Sequence, residues 1–422
     1  MNERKDVIYS AYVGIDWADS KHDVCIQEKA SDERKFEVVK HRSEAIDVWV
    51  KDLHQRYPGY IAVALELSKG PIVSALQKYD FIDIFPVNPG SLAKYREAFK
   101  PSRAKDDPTD AELAMDMLLR HPEHFKRLKP QSTEMRTLTT LVEQRRCLVG
   151  ERIRITNRLR SALKQYYPQV LEWFEHIDTP LFCAFVKRWP SLTQARHART
   201  NTLTRFFHEH HMYREGVLNN RLQAIKCARP LTADDAVIVP YRMQVVVLIE
   251  QLELMFKAIG QFDDEIEKLA SAHPDYGVFQ SLPGAGPSLA PRLLVAFGEQ
   301  RERFKSAADI QKYSGVAPVT ERSGQKHWVH WRWQCPTFMR QTFVEWAGQT
   351  INKSYWAGEY YQQQREKGST YQAAVRSLAF KWIRIVYRCW KTGVVYDESR
   401  YLKALERHGS PLLKRKTMLK IS

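Results

Sequence analysis

Four acidic residues in the N-terminal part of the chain have the types and spacing that a metal-dependent site requires. Asp16 ends the apolar, strand-like stretch YVGID, and Glu66 ends the apolar stretch IAVALE. Asp107 and Asp110 follow in DPTDA, three residues apart and therefore on one face of a predicted helix. A charged carboxylate at the end of an apolar strand is costly unless it is paired or bound to a cation, and such oxygen donors suit Mg²⁺. The DPTD spacing is also typical of an ordinary helix start, with Asp107 as cap and Pro108 in the first turn.

A second set of candidates lies in the C-terminal third. The stretch SLPGAGPSLAPRLLVAFG predicts a hairpin of two helices, in which Gly284 and Gly286 precede the second helix. Glycines permit positive φ and close approach, so the backbone N–H groups there could hold a phosphate, although an ordinary turn would use the same residues. Ser323 follows in a Ser-Gly turn before a Trp-rich segment. A serine hydroxyl acts as a nucleophile when a base or a cation stabilises its alkoxide, and a polar turn serine is otherwise structural.

The first 120 residues contain the elements that would position the acids. Strand-like stretches cover residues 8–16, 22–27, 35–40, 61–66 and 82–87. Ser43 is suited to cap a helix, and Pro71 is suited to open another. Three strands followed by alternating helices and strands predict an α/β fold with a mixed central sheet. Sites in such folds are commonly built at the carboxyl ends of strands, where Asp16 and Glu66 lie.

The rest of the chain is predicted to be mainly helical. Residues 131–167 contain no proline and predict one long helix. A second pattern alternates steps of three and four residues, which is typical of a coiled coil, and is formed by Val245, Leu248, Leu252, Met255, Ile259, Phe262, Ile266 and Leu269. A helical hairpin within one chain and dimerisation both explain this seam. Short helices are predicted for 170–240, a strand near 328–333 and a final amphipathic helix over 372–391.

These patterns predict four parts of the chain. An α/β domain covers 1–125, and a basic helical and coiled-coil region covers 126–272. A mainly helical domain covers 273–400, and a basic tail covers 401–422.

Composition and charge limit the class of protein. The 422 residues are 44% hydrophobic and contain no run that could span a membrane, no apolar leader and no cysteine spacing typical of a zinc site. We expect a cytoplasmic, nucleoid-associated protein with reduced, mostly buried thiols. The net charge is +16, and residues 126–232 contain 20 Lys and Arg against 8 Asp and Glu. This concentration favours a polyanionic partner, with a solvated basic surface as the alternative.

Several cations have positions that suit contacts with nucleic acid. The predicted long helix carries candidates for phosphate contacts at Arg145, Arg146, Arg152, Arg154, Arg158 and Arg160. Arg145 and Arg152 stand at heptad positions that are otherwise apolar. Arg332 would share one face of a strand with Trp328 and His330, where stacking and charge suit unpaired bases, although core packing is the alternative for the tryptophan.

The order of these motifs resembles two related groups of proteins. An Asp on the first strand, a Glu on a later strand and an Asp pair on a following helix resemble the ribonuclease H-like nucleases of the RuvC type. The motifs GIDWA, ALE, KDDPTDAELA, LPGAGPSLA, YSGVAP with RSG, and AFKWIRIVYRCWKTGVVYD resemble the bridge-RNA-guided transposases of the insertion sequence 110 family. The likeness covers most of the chain. One departure is Cys335-Pro336 ahead of Arg340, where relatives usually have Gly-Asn.

The resemblance implies a RuvC-like domain followed by a transposase domain with a catalytic serine. By position it makes Ser323 the nucleophile and assigns Mg²⁺ to an acidic tetrad of Asp16, Glu66, Asp107 and Asp110. It also implies three kinds of partner: double-stranded donor and target DNA, a structured noncoding bridge RNA, and further copies of the chain in a dimer or tetramer. We add Gly284, Gly286, Arg332 and Arg340 to the expected nucleic-acid contacts.

The predicted chemistry is cleavage and rejoining of DNA strands through a covalent phosphoserine, with a metal polarising the phosphate. Two alternatives stay open from the sequence. A metal-dependent RuvC-like junction nuclease would use water as its nucleophile. A non-catalytic nucleic-acid-binding scaffold would keep the basic helices and need none of the acids.

Overall fold

The strand patterns of the first 90 residues form one mixed five-stranded sheet. The computed structural model describes residues 7–99 and 107–413, and the chain divides into two units, residues 1–130 and 131–422. The strands of the first unit are β1 (Tyr9–Trp17), β2 (Lys21–Glu28), β3 (Arg34–Lys40), β4 (Tyr60–Leu65) and β5 (Ile82–Pro86). Their order in the sheet is β3-β2-β1-β4-β5. The pairs β3–β2 and β2–β1 are antiparallel, whereas the pairs β1–β4 and β4–β5 are parallel. The predicted mixed α/β sheet is thus confirmed, and it is consistent with a ribonuclease H-like fold.

Helices cover both faces of this sheet. They are α1 (Ser43–Arg56), α2 (Pro71–Leu76), α3 (Pro89–Phe99) and α4 (Asp107–Arg120), followed by a 3-10 turn at Pro122–His124. Ala11, Val13 and Ile15 of β1 share a core with α1 and α2. Because side chains alternate along a strand, Tyr12, Gly14 and Asp16 face the other way, toward α4. The prediction that Ser43 caps α1 was wrong: it is the first residue of the helix, and no side chain caps that end.

Two long helices form an antiparallel hairpin within the second unit. They are α5 (Thr133–Tyr166) and α11 (Asp235–Ser271), so the predicted long helix is confirmed. Leu138 near the start of α5 shares a core with Ile266 near the end of α11, whereas Leu159 and Leu248 share another. The residues of the seam over 245–269 belong to these two cores or pack on them, except Ile259, which is also buried. The heptad pattern is therefore used inside the chain, between α5 and α11.

Short helices between these two complete one of the cores, as predicted for residues 170–240. They are α6 (Val170–Trp173), α7 (Pro180–Arg188), α8 (Leu192–His197), α9 (Thr200–Glu209) and α10 (Glu215–Cys227). Aromatic side chains fill this core, with Phe182, Phe185 and Phe207 fully buried.

The C-terminal region packs around fully buried tryptophans at 346, 356, 382 and 390. Its elements are α12 (Tyr276–Gln280), α13 (Gly286–Phe297), α14 (Ala307–Tyr313), β6 (Val319–Ser323), β7 (Lys326–His330), α15 (Thr337–Thr350), α16 (Tyr355–Glu366), α17 (Tyr371–Thr392), α18 (Glu398–Arg407) and a 3-10 turn at Pro411–Leu413.

Four sequence-based expectations need correction or restriction here. The strand near 328–333 ends at His330, so Arg332 lies beyond it, and α17 is followed by a further helix, α18. The thiols are all free, but only Cys25 and Cys183 are buried. Part of the predicted basic tail, residues 414–422, lies outside the described residues. No helix in the described ranges combines the length and apolar character that a membrane span needs.

Candidate functional site

Asp16 and Glu66 lie at the carboxyl edge of the sheet, at the ends of neighbouring strands. In the parallel pairing of β1 with β4, Ile15 stands beside Leu65. Asp16 directly follows Ile15, and Glu66 directly follows Leu65. Asp16 is half-buried and faces the α4 side of the sheet, whereas Glu66 is exposed. The predicted pair of carboxylates is therefore adjacent in the fold.

Gly14 lets α4 pack directly on the β1 backbone. A Cβ at this position would lie 1.9 Å from the carbonyl oxygen of Ala111 and 2.8 Å from the amide nitrogen of Met115. Only a residue without a side chain permits such an approach. Arg34 of β3, at the far end of the sheet from Asp16, pairs with Glu112 and Asp116 later in the helix. The first turn of α4 therefore lies toward the Asp16 end of β1.

The two acids of that first turn differ in environment. Asp107 is exposed, whereas the side chain of Asp110 is only 5% exposed and is paired with Arg96 of α3. The guanidinium Nη2 lies 2.6 Å from Asp110 Oδ1, and Nε lies 2.8 Å from the same oxygen. This ion pair neutralises Asp110 within the protein. Within residues 7–99 and 107–413, no three His, Cys, Asp or Glu side chains are arranged to hold a metal.

The oxygen donors themselves suit Mg²⁺, as the fit of residue types shows. Asp16 and Glu66 are carboxylates at one edge of the sheet, and the first turn of α4 carries the carboxylates of Asp107 and Asp110. Mg²⁺ prefers such ligands together with water and phosphate oxygens. Binding through Asp110 requires its ion pair with Arg96 to open. The edge thus provides metal-compatible ligands that are not preassembled.

Asp116 is a carboxylate of α4 that sequence reasoning missed. Burial opposes its ionisation, but hydrogen bonds from Tyr95 and Arg120 and the charge of Arg34 together hold its pKa below the usual range. Tyr95 Oη lies 2.6 Å from Oδ2, and Arg120 Nε lies 2.9 Å from Oδ1. This network ties α4 to α3 and β3 and so fixes the helix that carries Asp110. The partners are distant in sequence, and no local pattern indicates them.

Ser323 lies at the exposed tip of the β6–β7 hairpin. It ends β6 and stands directly opposite Lys326 of β7, and Gly324 in the turn has φ +59°. Within the described part of the chain no side chain hydrogen-bonds to its hydroxyl. Residues directly opposite in an antiparallel pair have Cβ atoms about 5 Å apart. Lys326 is therefore the cross-strand neighbour of Ser323, and its position across a predicted turn was the signal that could have indicated it.

Glu321 organises the outer face of the same hairpin. It accepts a hydrogen bond of 3.0 Å from Trp328 Nε1, and His330 Nε2 lies 2.7 Å from its other oxygen. The bond to Glu321 raises the pKa of His330 above its ordinary value. Trp328 remains 45% exposed, so it is not a core residue. The predicted shared face of Trp328 and His330 is present, without Arg332.

Cations gather around Trp331 at the base of the hairpin. The guanidinium carbon of Arg376 lies 3.2 Å from the centre of the Trp331 ring, and that of Arg340 lies 5.5 Å away. Burial, and then the charge of Arg340, lowers the pKa of Arg376. The Nε of Arg332 is buried and has no hydrogen-bond partner among the described residues. Three like charges with unused donors at this place would be stabilised by an anion.

The predicted glycine turn lies beside a cavity of about 230 Å³ at the start of α13. Gly284 and Gly286 have φ values of +73° and +55°. Arg145, Arg146 and Arg292 line the cavity together with Pro287 and Ser288. These arginines also contact Asp263, Gln341 and Glu345, respectively. The buried Nε atoms of Arg146 and Arg292 have no partner within the described residues, so the cavity offers donors to an anion.

The other arginines of α5 divide into paired and unpaired groups. Arg152 lies 3.8 Å from Asp178, and Arg154 pairs with Glu151 one turn away. Arg158 and Arg160 are exposed, and neither has an ion pair within residues 7–99 and 107–413. These two are therefore the α5 arginines most available to a phosphate backbone.

Taken together, the features define an enzyme that acts on nucleic acid: acids at the carboxyl edge of an α/β sheet, and a helical unit with an exposed serine and uncompensated arginines. Comparison with known proteins gives the family. Residues 13–168 match the DEDD transposases of IS110, and residues 276–362 match the family described as Transposase IS116/IS110/IS902 family. The two matches cover more than half of the chain, which is therefore a DNA transposase carrying the transposase domains of the IS110 family.

Similar proteins agree with this family. The chain is 29% identical to the "Mini-circle putative transposase for IS117" of Streptomyces coelicolor, over 93% of this chain and 96% of that protein. It is 25% identical to the "Insertion element IS110 uncharacterized 43.6 kDa protein" of the same organism, over 73% of this chain and 76% of that protein. A transposase would bind DNA, and a DEDD transposase domain suggests dependence on a divalent metal.

Proposed function

We propose that this chain is an RNA-guided DNA transposase that cleaves and rejoins strands through a phosphoserine at Ser323. The observation that carries the proposal is the position of this serine at the tip of an exposed hairpin, opposite Lys326. A duplex can reach the hydroxyl there, and a neighbouring ammonium can stabilise the alkoxide. Proposed partners are double-stranded donor and target DNA, a structured noncoding bridge RNA, and further copies of the chain in a dimer or tetramer.

The chemistry at Ser323 balances as a transesterification. The Oγ atom attacks a DNA phosphorus and loses its proton, the bond from phosphorus to one deoxyribose oxygen breaks, and that oxygen takes up a proton and leaves as a hydroxyl. The resulting phosphoserine conserves the ester bond. A hydroxyl of another strand then attacks the same phosphorus and releases the serine, which takes up a proton. The arginines around Trp331 would hold neighbouring phosphates during both steps.

Asp16, Glu66, Asp107 and Asp110 are proposed to hold Mg²⁺. A bound ion would supply charge stabilisation to a phosphate oxygen. The chain's own contribution is to place these carboxylates at one edge, through the parallel register of β1 with β4 and the close packing of α4 on Gly14. The proposal requires the acids of one unit and Ser323 of the other to act on the same DNA.

The first experiment measures covalent protein–DNA adducts on denaturing gels, with labelled duplexes and the RNA that copurifies with the protein. Ser323→Ala should abolish adducts and strand exchange while DNA binding stays intact, and Ser161→Ala, an exposed serine on α5, should behave as wild type. Asp16→Asn should lose metal-dependent activity, with Asp19→Asn on the following turn as its control. Strand exchange by Ser323→Ala would refute the serine mechanism.

A second candidate is a metal-dependent junction nuclease that uses water. It is favoured by one observation: the carboxylates of the β1–β4 edge belong to a unit that does not include Ser323. This candidate predicts cleavage of branched DNA by Ser323→Ala at the wild-type rate, with no adduct in either protein. Sequencing of copurifying RNA tests the guide separately, because one abundant structured RNA is expected under RNA guidance.

A further inference from the structure

A groove between α17 and α18 has no part in the chemistry described above. Gly393, with φ +69°, ends α17 in a left-handed conformation and turns the chain back toward α18. The two helices and the segment between them enclose a groove of about 680 Å³. Its walls belong to the second unit and include neither the glycine turn nor the β6–β7 hairpin.

The groove carries strong positive charge, and one of its cations, Lys381, lies over an aromatic ring, that of Tyr360. Five cations line it: Lys381, Arg384, Arg388, Arg400 and Arg407. The one carboxylate in its lining, Asp397, caps α18 by accepting hydrogen bonds from the amides of residues 399 and 400 at 2.9 and 3.2 Å. Among the described residues no carboxylate forms an ion pair with any of these five cations. Burial, and then the charge of Arg384, lowers the pKa of Lys381, as expected for crowded like charges.

Apolar side chains lie among these cations. Val394 and Val395 are 48% and 55% exposed, and Ile385 and Tyr401 line the same space. Exposed apolar groups of this size are costly when water alone covers them. Apolar surface bordered by arginines suits bases and sugars whose backbone lies along the cations.

The spacing and shape favour a single strand over a duplex. Lys381, Arg384 and Arg388 follow one another at intervals of about one helical turn, roughly 5 Å along α17, so they form a line of cations. A duplex would contact the exposed arginines, but its stacked bases could not reach the apolar residues between the helices. An unpaired strand can place phosphates on the cations and bases on Val394 and Val395.

The chain's own C-terminal segment has the wrong charge to occupy the groove. Residues 414–422 have the sequence KRKTMLKIS, with four cations and no carboxylate. A second copy of this strongly basic chain would meet the same repulsion. Charge complementarity therefore selects a polyanion.

We infer that the α17–α18 groove binds an unpaired segment of RNA, of the kind that loops of a structured RNA present. The choice of RNA over single-stranded DNA rests on the proposed function, whereas the preference for an unpaired strand rests on the groove. Arg384 and Arg388 contact phosphates, and Val394, Val395 and Tyr401 contact bases.

The test measures fluorescence anisotropy of labelled oligouridylate, oligothymidylate and a short DNA duplex with full-length protein freed of copurifying nucleic acid. The double variant Arg384→Gln/Arg388→Gln should bind oligouridylate about 25-fold more weakly at 0.1 M salt. This follows because each lost phosphate contact lowers the salt slope for a single strand by about 0.7, or about 1.4 for two contacts. Duplex binding should change less than about twofold, because other exposed cations, such as Arg158 and Arg160, remain available to the backbone of a duplex.

The matched control is Lys367→Gln/Lys403→Gln, which removes the same charge from exposed positions outside the groove. It should retain wild-type affinity for oligouridylate and the wild-type salt slope. Equal weakening in both double variants would show a net-charge effect and overturn the inference, as would unchanged binding by the groove variant. Tighter binding of oligothymidylate than of oligouridylate would overturn the assignment to RNA. Ser323→Ala should bind oligouridylate as wild type, so this test fails or succeeds independently of the transposition chemistry.

Discussion

Replacement of Gly14 by alanine tests whether the close packing of α4 on β1 positions the candidate acids. The added Cβ would lie 1.9 Å from the carbonyl oxygen of Ala111, whereas ordinary contact begins at about 3.4 Å. The backbones must therefore separate by about 1.5 Å. Both obstructing groups, at Ala111 and Met115, are backbone atoms in a helix, so no side-chain rotation can relieve the clash.

The expected cost is at the upper end of that for overpacking, about 3 kcal/mol. It is localised, because α4 is also held by Arg34 through Glu112 and Asp116. The helix should thus remain formed but displaced at its first turn, which carries Asp110. We expect Gly14→Ala to lose most strand-transfer activity while nucleic-acid binding by the helical unit is retained.

Hydrogen exchange followed by mass spectrometry measures this effect locally. Peptides from 9–17 and 107–120 should exchange faster in Gly14→Ala, whereas peptides from 133–166 should not change. The control is Gly260→Ala in α11, where a Cβ meets nothing within 4 Å. That substitution should stabilise its helix by roughly 0.5–1 kcal/mol, since alanine is the better helix former. Wild-type protection and activity in Gly14→Ala would refute the close approach and the positioning argument with it.

Three further predictions concern titration and charge pairing. Burial lowers the pKa of His22 to about 4, so the folded state resists protonation of this side chain and the stability of the protein falls as the pH drops below 6.5. His22→Gln should remove about 2 kcal/mol of the stability that is lost between pH 7 and 5. Urea unfolding monitored by hydrogen exchange measures this difference. The bond to Glu321 raises the pKa of His330, so the pair is complete below pH 6.5 and weakens as the pH rises through that raised pKa; in NMR titrations Glu321→Gln should return the pKa toward its ordinary value, and an unchanged pKa would contradict the pairing. Arg96→Gln should cost about 3 kcal/mol by leaving Asp110 buried and unpaired; if Asp110 is a metal ligand, Mg²⁺ should stabilise this variant more than wild type, and equal stabilisation would count against that role.

The first unit was largely predictable because each local pattern agrees with the fold. Strands β1, β4 and β5 are apolar and bounded by turn residues, and their alternation fixes which face each side chain takes. The strand β6 escaped prediction for the opposite reason. Its residues 320–323 are all exposed, so it has no apolar alternation, and it is held by pairing with β7, including hydrogen bonds that Glu321 accepts from Trp328 and His330. Pairing of this kind depends on the partner strand and is not visible in β6 alone.

The long helices show what hydrophobic periodicity in the sequence can predict and what it cannot. It identified α5, α11 and their shared seam, but it could not tell a hairpin from a dimer, because both bury the same residues. It also could not explain Arg145 at a seam position. In the fold this arginine pairs with Asp263, which is 118 residues away. A cation that resembles a phosphate contact in sequence is thus already partly satisfied by the hairpin, and Arg158 and Arg160 are the better candidates.

The same limit applies to the acids. Sequence order selects Asp16, Glu66, Asp107 and Asp110 because residue type and strand position are local properties, and the register of β1 with β4 places the first two at one edge as expected. Sequence order does not reveal that Arg96 neutralises Asp110, because that contact depends on how α3 packs against α4. A guanidinium can pair with a carboxylate or with a phosphate, and a phosphate arriving at this edge would compete for Arg96. If Asp110 is a metal ligand, its metal binding is therefore expected to depend on nucleic acid being present.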